Sequence, residues 1–323
     1  MANAKSEVVL ITGVAGLVGS HLAEVLLAQG RQVIGIDNFN DYYSVSQKRS
    51  NVSGFKSHEG FTLYEVDIRD AETMMRIFSD HKPHAVVHLA AMANVRYSIG
   101  RAPLYNEVNI TGSINLLEAA KEHGTDNFVF ASTSSAYGHT KQLPFTETDP
   151  SNLPLSAYPA SKKAIELMGY TYHNLHQLNF TALRFFSVYG PRARPDMMPF
   201  MVTDRISRGE TITLFNAGQM KRDWTYVEDI VDGVVRAVDK PLGYEIVNLG
   251  RGEPVLMAEF VTILEDLIGL KAILECPAAP PSEPEITFAN IDKARAMLGY
   301  DPQTSVRDGL GRLVNWYQEQ YPV

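Results

Sequence analysis

The chain has 323 residues, 45% hydrophobic and 20% charged, an ordinary composition for a globular protein with a sizeable buried core. Its 29 basic and 37 acidic residues give a formal net charge of −8 without long runs, which argues against a nucleic-acid surface and an anionic-membrane partner. The single cysteine, Cys276, excludes an internal disulfide, and no apolar run reaches the ~20 residues of a membrane span. The first strand-like run follows the start of the chain without a signal peptide, so we expect a cytoplasmic protein.

Short apolar, β-branched runs predict seven strands, at residues 8–11, 32–37, 61–67, 85–90, 127–132, 180–187 and 244–250. Apolar residues at helical spacing predict helices over residues 17–30, 71–80, 107–124, 161–178 and 226–239. Strands that are apolar nearly throughout and alternate with helices indicate a parallel sheet covered on both faces. The predicted fold class is therefore α/β with a doubly wound parallel sheet.

The character of the sequence changes after residue 187, where proline and arginine crowd residues 190–199. Beyond about residue 250 the strand and helix signals are shorter and are broken by "ECPAAPPSEPE" at 275–285. We therefore predict two domains. Residues 1–187 with 226–249 form the doubly wound domain, and residues 188–225 with 250–323 form a smaller mixed α/β lobe.

Three glycines between the first strand and the first helix predict a dinucleotide site. The spacing of Gly13, Gly16 and Gly19 allows a tight turn, close approach of the backbone to a pyrophosphate, and close packing of helix on strand. Asp37 ends the second strand about 20 residues later, where a carboxylate binds ribose hydroxyls and repels a 2′-phosphate, which favours NAD over NADP. Further cofactor contacts are predicted at the same edge, from Leu17, Val18, Asn38, Asp67, Ile68, Leu89, Ala90 and Ala91.

A second group of residues predicts catalysis. The strand at 127–132 continues into "TSSAYG", which places Thr133, Ser134 and Ser135 at the carboxyl edge of the sheet, where open α/β sheets bind ligands. Tyr158 and Lys162 stand four residues apart, so they would share one face if a helix includes both. A nearby ammonium and an oxidised nicotinamide would both favour the phenolate and make Tyr158 usable as a base.

In combination these motifs resemble the extended short-chain dehydrogenase/reductase family over nearly the whole chain, which implies a Rossmann-type domain and a substrate-binding lobe. The resemblance implies that Lys162 also reaches the nicotinamide ribose and that Thr133 orients the reacting hydroxyl. The stretches "DNFNDYYSVSQKR", "RFFSVYGPRARPDM" and "RDWTYVEDIV" are similar to those of UDP-glucuronate 4-epimerases within the nucleotide-sugar epimerase branch. The resemblance implies tightly bound NAD, a UDP-hexuronate substrate and a homodimer. No metal site is predicted.

The resemblance also implies how the substrate is held. The sugar carboxylate would face Ser134, Ser187 and Arg194. Arg222 would contact the pyrophosphate, and Arg96 is a second candidate cation for the substrate. Many relatives contact the nucleotide through an Arg-x-Gly-Asp-like segment, whereas this chain has "PPSEPE", which retains Glu283 as a plausible acid.

Several alternative functions remain open at this point. A UDP-glucose or other nucleotide-sugar 4-epimerase is disfavoured by Arg194 and "RPDM", and a UDP-glucuronate decarboxylase by Ser135, where those enzymes have a Glu in the loop. A dinucleotide-binding sensor without turnover is disfavoured because Thr133, Tyr158 and Lys162 occur together.

Overall fold

The computed structural model describes residues 7–279 and 285–322. Its strands are β1 Val8–Thr12, β2 Gln32–Ile36, β3 Phe61–Tyr64, β4 Ala85–His88, β5 Asn127–Thr133, β6 Asn179–Phe185, β7 Ser187–Tyr189, β8 Thr211–Thr213, β9 Lys221–Tyr226, β10 Tyr244–Leu249, β11 Pro254–Leu256, β12 Ile273–Glu275 and β13 Ile286–Thr287. Its helices are α1 Leu17–Ala28, α2 Val45–Ser53, α3 Ala71–His81, α4 Ala102–Tyr105, α5 Gly112–His123, α6 Ala157–His176, α7 Met198–Arg208, α8 Val227–Asp239, α9 Met257–Ile268, α10 Asp292–Leu298 and α11 Val306–Gln320.

The main sheet has seven parallel strands in the order β10-β6-β5-β4-β1-β2-β3. All seven residues of β5 are buried, as expected for a central strand covered on both faces. One buried cluster contains apolar residues of α1 and α8, and a second contains those of α3, α5 and α6. The predicted α/β class, a Rossmann-type doubly wound sheet, is therefore confirmed. The strand order reverses between β1 and β4, which opens a crevice at their carboxyl ends.

A second, four-stranded sheet is built around β9, which pairs with β7, β11 and β13. A two-stranded sheet of β8 and β12 lies in the same part of the sequence. The strands of the main sheet come from residues 8–133, 179–185 and 244–249, and those of the other sheets from residues 187–226 and 254–287. We propose that the two predicted domains follow this division. None of the helices in the described part of the chain is long and apolar enough to cross a membrane.

The helix predicted over residues 107–124 contains a π-helical turn, Asn106–Thr111, between α4 and α5. The turn directs the buried Asn109 inward, where its amide donates to the Met92 carbonyl and to the Ser161 hydroxyl, both at 2.9 Å. The Asn109 side-chain oxygen accepts from the Met92 N–H at 2.8 Å. Asn109 therefore joins the loop after β4 to α6, which carries Tyr158 and Lys162.

Candidate active site

A cleft of about 440 Å³ lies at the carboxyl ends of the main-sheet strands. It brings together segments from β1, β2, β4, β5, α6 and the chain that follows β6. The predicted cofactor and catalytic residues that line it are Gly13, Gly16, Leu17, Val18, Gly19, Asp37, Asn38, Asp67, Ile68, Leu89, Ala90, Ala91, Thr133, Tyr158 and Lys162. The predicted cofactor-binding and catalytic residues therefore line one cavity.

The glycine turn shows how the chain makes room for a dinucleotide. Gly13 has φ +72°, and a Cβ there would lie 2.8 Å from the Ala90 nitrogen. A Cβ at Gly19 would lie 2.2 Å from the Gly13 carbonyl oxygen. Side chains at these two positions would push the start of α1 away from β1 and β4. Because the residues at the start of α1 line the cleft, its free N–H groups are available to a pyrophosphate.

Asp37 is fixed at the end of β2. Its Oδ2 accepts from the Ala15 N–H at 3.1 Å and its Oδ1 from the Phe39 N–H at 2.9 Å. A carboxylate has about four acceptor positions, so positions remain for two ribose hydroxyls. Burial raises the pKa of Asp37, whereas these two backbone hydrogen bonds and the Lys48 charge act in the opposite direction. The small residues, the helix start and this carboxylate together fit NAD.

Tyr158, Lys162 and Thr133 also line the cleft. Tyr158 and Lys162 are one turn apart on α6, and Thr133 ends β5. The Lys162 ammonium lies 4.6 Å from the centroid of the Phe130 ring. The three polar groups therefore share one environment, as the candidate chemistry requires.

Burial perturbs both members of the Tyr158 and Lys162 pair. It raises the pKa of Tyr158, while a hydrogen bond with Thr133 and the positive charge of Arg194 act in the opposite direction. It lowers the pKa of Lys162 to about 7, because the ammonium is almost fully removed from water. The polypeptide itself therefore keeps Tyr158 neutral at pH 7, and activation of Tyr158 by the Lys162 ammonium remains a prediction.

A buried ion pair fixes α6 against the sheet. Glu166, one turn beyond Lys162, accepts from the Arg184 guanidinium of β6 at 2.7 and 2.8 Å, and both side chains are fully buried. The Ser132 hydroxyl donates to Glu166 at 2.6 Å. Since Ser132 directly precedes Thr133, this contact sets the position of α6 relative to the end of β5.

Two of the predicted substrate contacts, Ser187 and Arg194, line the same cleft. Ser134 and Ser135 lie beside it in the 3₁₀ turn after β5, where the Ser135 N–H donates to the Thr133 hydroxyl at 3.1 Å. They are absent from the described lining of the cleft.

The remaining predicted contacts are Arg96, Arg222 and Glu283. The Arg96 guanidinium lies 5.9 Å from the centroid of the Phe215 ring, and Arg222 donates to the Lys221 carbonyl at 2.9 Å. Neither arginine is part of the described lining. Glu283 lies outside the described residues.

The cleft also contains residues that the sequence analysis did not assign. The buried Lys48 ammonium donates to the Asn40 carbonyl at 2.6 Å and to the Asn40 side-chain oxygen at 2.7 Å, which holds the "NDYY" segment in place. Tyr42, in that segment, and Asn94, after β4, both bind Asp196 of "RPDM". Both stretches are distinctive in the sequence, but their spacing along the chain does not predict that they contact each other.

A doubly wound sheet whose crevice holds a glycine turn, an acidic residue at the end of β2 and a Tyr158 and Lys162 pair defines an NAD-dependent enzyme. The chain belongs to the NAD dependent epimerase/dehydratase family, whose match covers residues 9–250.

Individual relatives match nearly the full length of the chain. A UDP-glucuronate 4-epimerase from Thermodesulfobacterium geofontis is 42% identical over 311 residues, which cover 96% of each chain. The structure of the Bacillus cereus UDP-glucuronic acid 4-epimerase with UDP-glucuronic acid and NAD is 32% identical, with a TM-score of 0.90 over 97% of this chain and 100% of that chain. The UDP-glucose 4-epimerase of Thermotoga maritima, solved with UDP-glucose, has a TM-score of 0.87 at 31% identity over 97% and 99% of the two chains.

Proposed function

We propose that this protein is an NAD-dependent UDP-glucuronate 4-epimerase, an isomerase that interconverts UDP-glucuronate and UDP-galacturonate. The observation that carries this proposal is the position of Arg194, which lines the same cleft as Tyr158 and lies close enough for its charge to oppose the rise that burial causes in the Tyr158 pKa. A guanidinium there suits the carboxylate of a uronate next to the reacting carbon. The UDP-glucuronate 4-epimerases among the relatives support the same reading.

Each residue of the cleft would have its own role in the reaction. The glycine turn and Asp37 would hold NAD, which would supply the redox chemistry as acceptor and donor of the hydride at carbon 4 of the sugar. Tyr158 removes the proton of the 4-hydroxyl and gives it back when the 4-keto sugar is reduced. Lys162 favours the phenolate by its charge, and Thr133 orients the hydroxyl through its hydrogen bond to Tyr158. No net oxidation results, so the cofactor stays bound through many turnovers.

The 4-keto intermediate of a uronate is a β-keto acid, which loses carbon dioxide when the bond to its carboxylate stands perpendicular to the carbonyl plane. We propose that Ser134, Ser187 and Arg194 hold the carboxylate away from that alignment. Of these, Ser187 and Arg194 line the cleft, and Ser134 lies in the adjoining turn.

Arg194→Ala and Ser187→Ala are each expected to raise the ratio of pentose by-product to epimer, for Arg194→Ala by about tenfold, equivalent to about 1.4 kcal/mol. The reason is that loss of either contact frees the carboxylate to rotate. Both products are quantified from UDP-glucuronate by proton NMR. Arg208→Ala, on the exposed side of α7, is the control and should leave the ratio unchanged. Equal slowing of both channels would contradict the proposed role.

The function itself is tested by incubating the purified protein, without added cofactor, with UDP-glucuronate, UDP-glucose or dTDP-glucose and following the sugars by proton NMR. We expect UDP-glucuronate to give UDP-galacturonate. Turnover of UDP-glucose alone would favour the neutral-sugar epimerase, and a pentose product alone would favour the decarboxylase. No conversion of any sugar would favour a non-catalytic dinucleotide-binding protein.

We also propose that the chain forms a homodimer through α6. Its outer face exposes Leu167, Tyr170 and Leu175, with 61%, 53% and 65% of their surfaces accessible, at spacings that place them on one side of the helix.

The exposed thiol of Cys276 suits a reducing compartment, so we propose a cytoplasmic location.

The double variant Leu167→Glu with Leu175→Glu is expected to weaken the dimer at least tenfold, because each leucine buried in an interface contributes about 1.5–3 kcal/mol. Light scattering after size exclusion should give twice the 35.9 kDa chain mass for the unmodified protein and the monomer mass for the variant at low concentration. Leu270→Glu is the control, because Leu270 lies outside α6 and has 50% of its surface accessible. A monomeric unmodified protein would refute the dimer.

A further inference from the structure

The Asp196 carboxylate lies where three distant segments of the chain meet beside the cleft. It accepts from the Tyr42 hydroxyl at 2.8 Å and from the Asn94 amide at 2.9 Å, and it pairs with the Arg194 Nε at 2.9 Å. We refer to Tyr42, Asn94, Arg194 and Asp196 as the Asp196 cluster. We propose that Asp196 is a positioning residue that fixes Arg194 for the substrate carboxylate and thereby selects uronates over neutral hexoses. This inference rests on the proposed function.

The contact between Asp196 and Arg194 uses one edge of the guanidinium. Asp196 Oδ1 binds Nε at 2.9 Å, and its Oδ2 lies 3.4 Å from Nη2. A guanidinium has five N–H donors in a rigid plane, so the edge formed by Nη1 and the second hydrogen of Nη2 is not used by Asp196. This edge, at the tip of the side chain, has the geometry that binds a carboxylate through two parallel hydrogen bonds.

The Asp196 carboxylate is itself held in place by residues other than Arg194. Tyr42 packs edge-on against the Tyr97 ring, with centroids 4.9 Å apart, and the Arg194 guanidinium lies 5.6 Å from the centroid of the Tyr42 ring. Asn94 adopts φ 88°, a backbone region that few residues other than glycine and asparagine tolerate. Its side-chain oxygen accepts from the Arg96 and Tyr97 N–H groups at 2.9 and 3.1 Å. Both donors to Asp196 therefore have supports of their own.

The charges of the cluster explain why it would matter for a uronate in particular. The cluster alone carries one positive and one negative charge, so a bound uronate adds a carboxylate to a guanidinium that is already oriented. A neutral hexose makes no such charge-assisted contact, and its binding does not depend on the direction in which Arg194 points. Asp196 therefore affects the two classes of substrate differently.

Asp196→Asn tests the proposal because it keeps the shape of the side chain and removes its charge. We expect the KM for UDP-glucuronate to rise about tenfold with a small change in kcat, and the pentose fraction to rise. Any kcat/KM for UDP-glucose should stay within twofold. Tyr42→Phe removes one hydroxyl from the cluster and keeps the aromatic ring, so it should shift the uronate KM in the same direction by a smaller factor.

Asp204→Asn is the matched control. Asp204 also pairs with an arginine Nε at 2.9 Å and accepts from a tyrosine hydroxyl at 2.6 Å, but it lies on α7 outside the cleft. The control should retain both activities.

The opposite result would overturn the proposal. If Asp196 merely competes with the substrate for Arg194, Asp196→Asn will lower the uronate KM. An unchanged KM in both Asp196→Asn and Tyr42→Phe would also overturn it, while activity of the unmodified enzyme on UDP-glucuronate would leave the proposed function intact. If the unmodified enzyme does not convert UDP-glucuronate, the proposed function fails first, and the role of Asp196 in uronate selection fails with it.

Discussion

Tyr158→Phe is expected to lower the rate of UDP-glucuronate epimerisation by on the order of 10³-fold, because the variant lacks the group that removes and returns the proton of the 4-hydroxyl. The ring itself should stay in place, since it packs edge-on against Tyr105 with centroids 6.2 Å apart. Binding of NAD should therefore persist. The measurements are the epimerisation rate by NMR and the NAD content of the purified variant.

Tyr170→Phe provides the control for this experiment. Tyr170 also lies on α6, but it is 53% exposed on the outer face and is absent from the described lining of the cleft. Its hydroxyl should be dispensable, with the rate within twofold of the unmodified enzyme. If Tyr158→Phe kept more than about a tenth of the rate, Tyr158 would not be the proton acceptor, since a positioned base contributes roughly 10²–10⁴-fold.

Glu166→Gln is expected to reduce the free energy of unfolding by about 3–5 kcal/mol, because it leaves the fully buried Arg184 guanidinium without its counter-ion. Urea denaturation measures the loss. Since Glu166 also holds α6 against the end of β5, the folded fraction should have lower activity as well. Exchange of both partners for apolar residues of similar size should recover much of the stability, because no unpaired charge then remains.

The exposed pair of Arg312 and Glu228 is the matched control. Both side chains are more than half exposed, so Glu228→Gln should cost at most about 1 kcal/mol. A similar loss from Glu166→Gln and Glu228→Gln would show that the buried pair has no special effect on stability.

The pH dependence of unfolding gives a further measurement on Glu166→Gln. Burial alone would raise the pKa of Glu166, but the hydrogen bond and charge of Arg184 and the Ser132 hydroxyl outweigh it and hold the pKa below its ordinary value of 4.5. The stabilisation is therefore complete above pH 4.5 and is lost as the pH falls through the lowered pKa. Glu166→Gln should remove this part of the acid sensitivity.

The main sheet could be predicted from the sequence because its strands are buried on both faces and therefore apolar. The predicted ends of these strands agree less well with the structure. The strand predicted at 180–187 is two strands, since β6 ends at Phe185 and β7 begins at Ser187. The chain leaves the main sheet there to pair with β9, and hydrophobicity does not show which sheet a strand joins. The strand predicted at 61–67 ends at Tyr64.

The candidate site was predictable where spacing along the chain determines position. The glycine turn and the Tyr158 and Lys162 pair are local patterns, and all of them line the cleft. The Asp196 cluster joins residues that lie 154 and 102 positions apart, so no local pattern indicates it. The sequence does not indicate the role of Glu166 and Arg184 for another reason. Charged residues are usually exposed, and only the paired geometry explains why these two are buried.

The distances along the chain between Tyr42, Asn94 and Asp196 bear on attempts to exchange substrate preference among relatives. Grafting a single loop into a homologue that lacks these residues would transfer either one hydrogen-bond donor or the acceptor. A carboxylate grafted in this way would have no hydroxyl or amide donor to bind. We therefore expect such chimaeras to require simultaneous transplantation of all three segments.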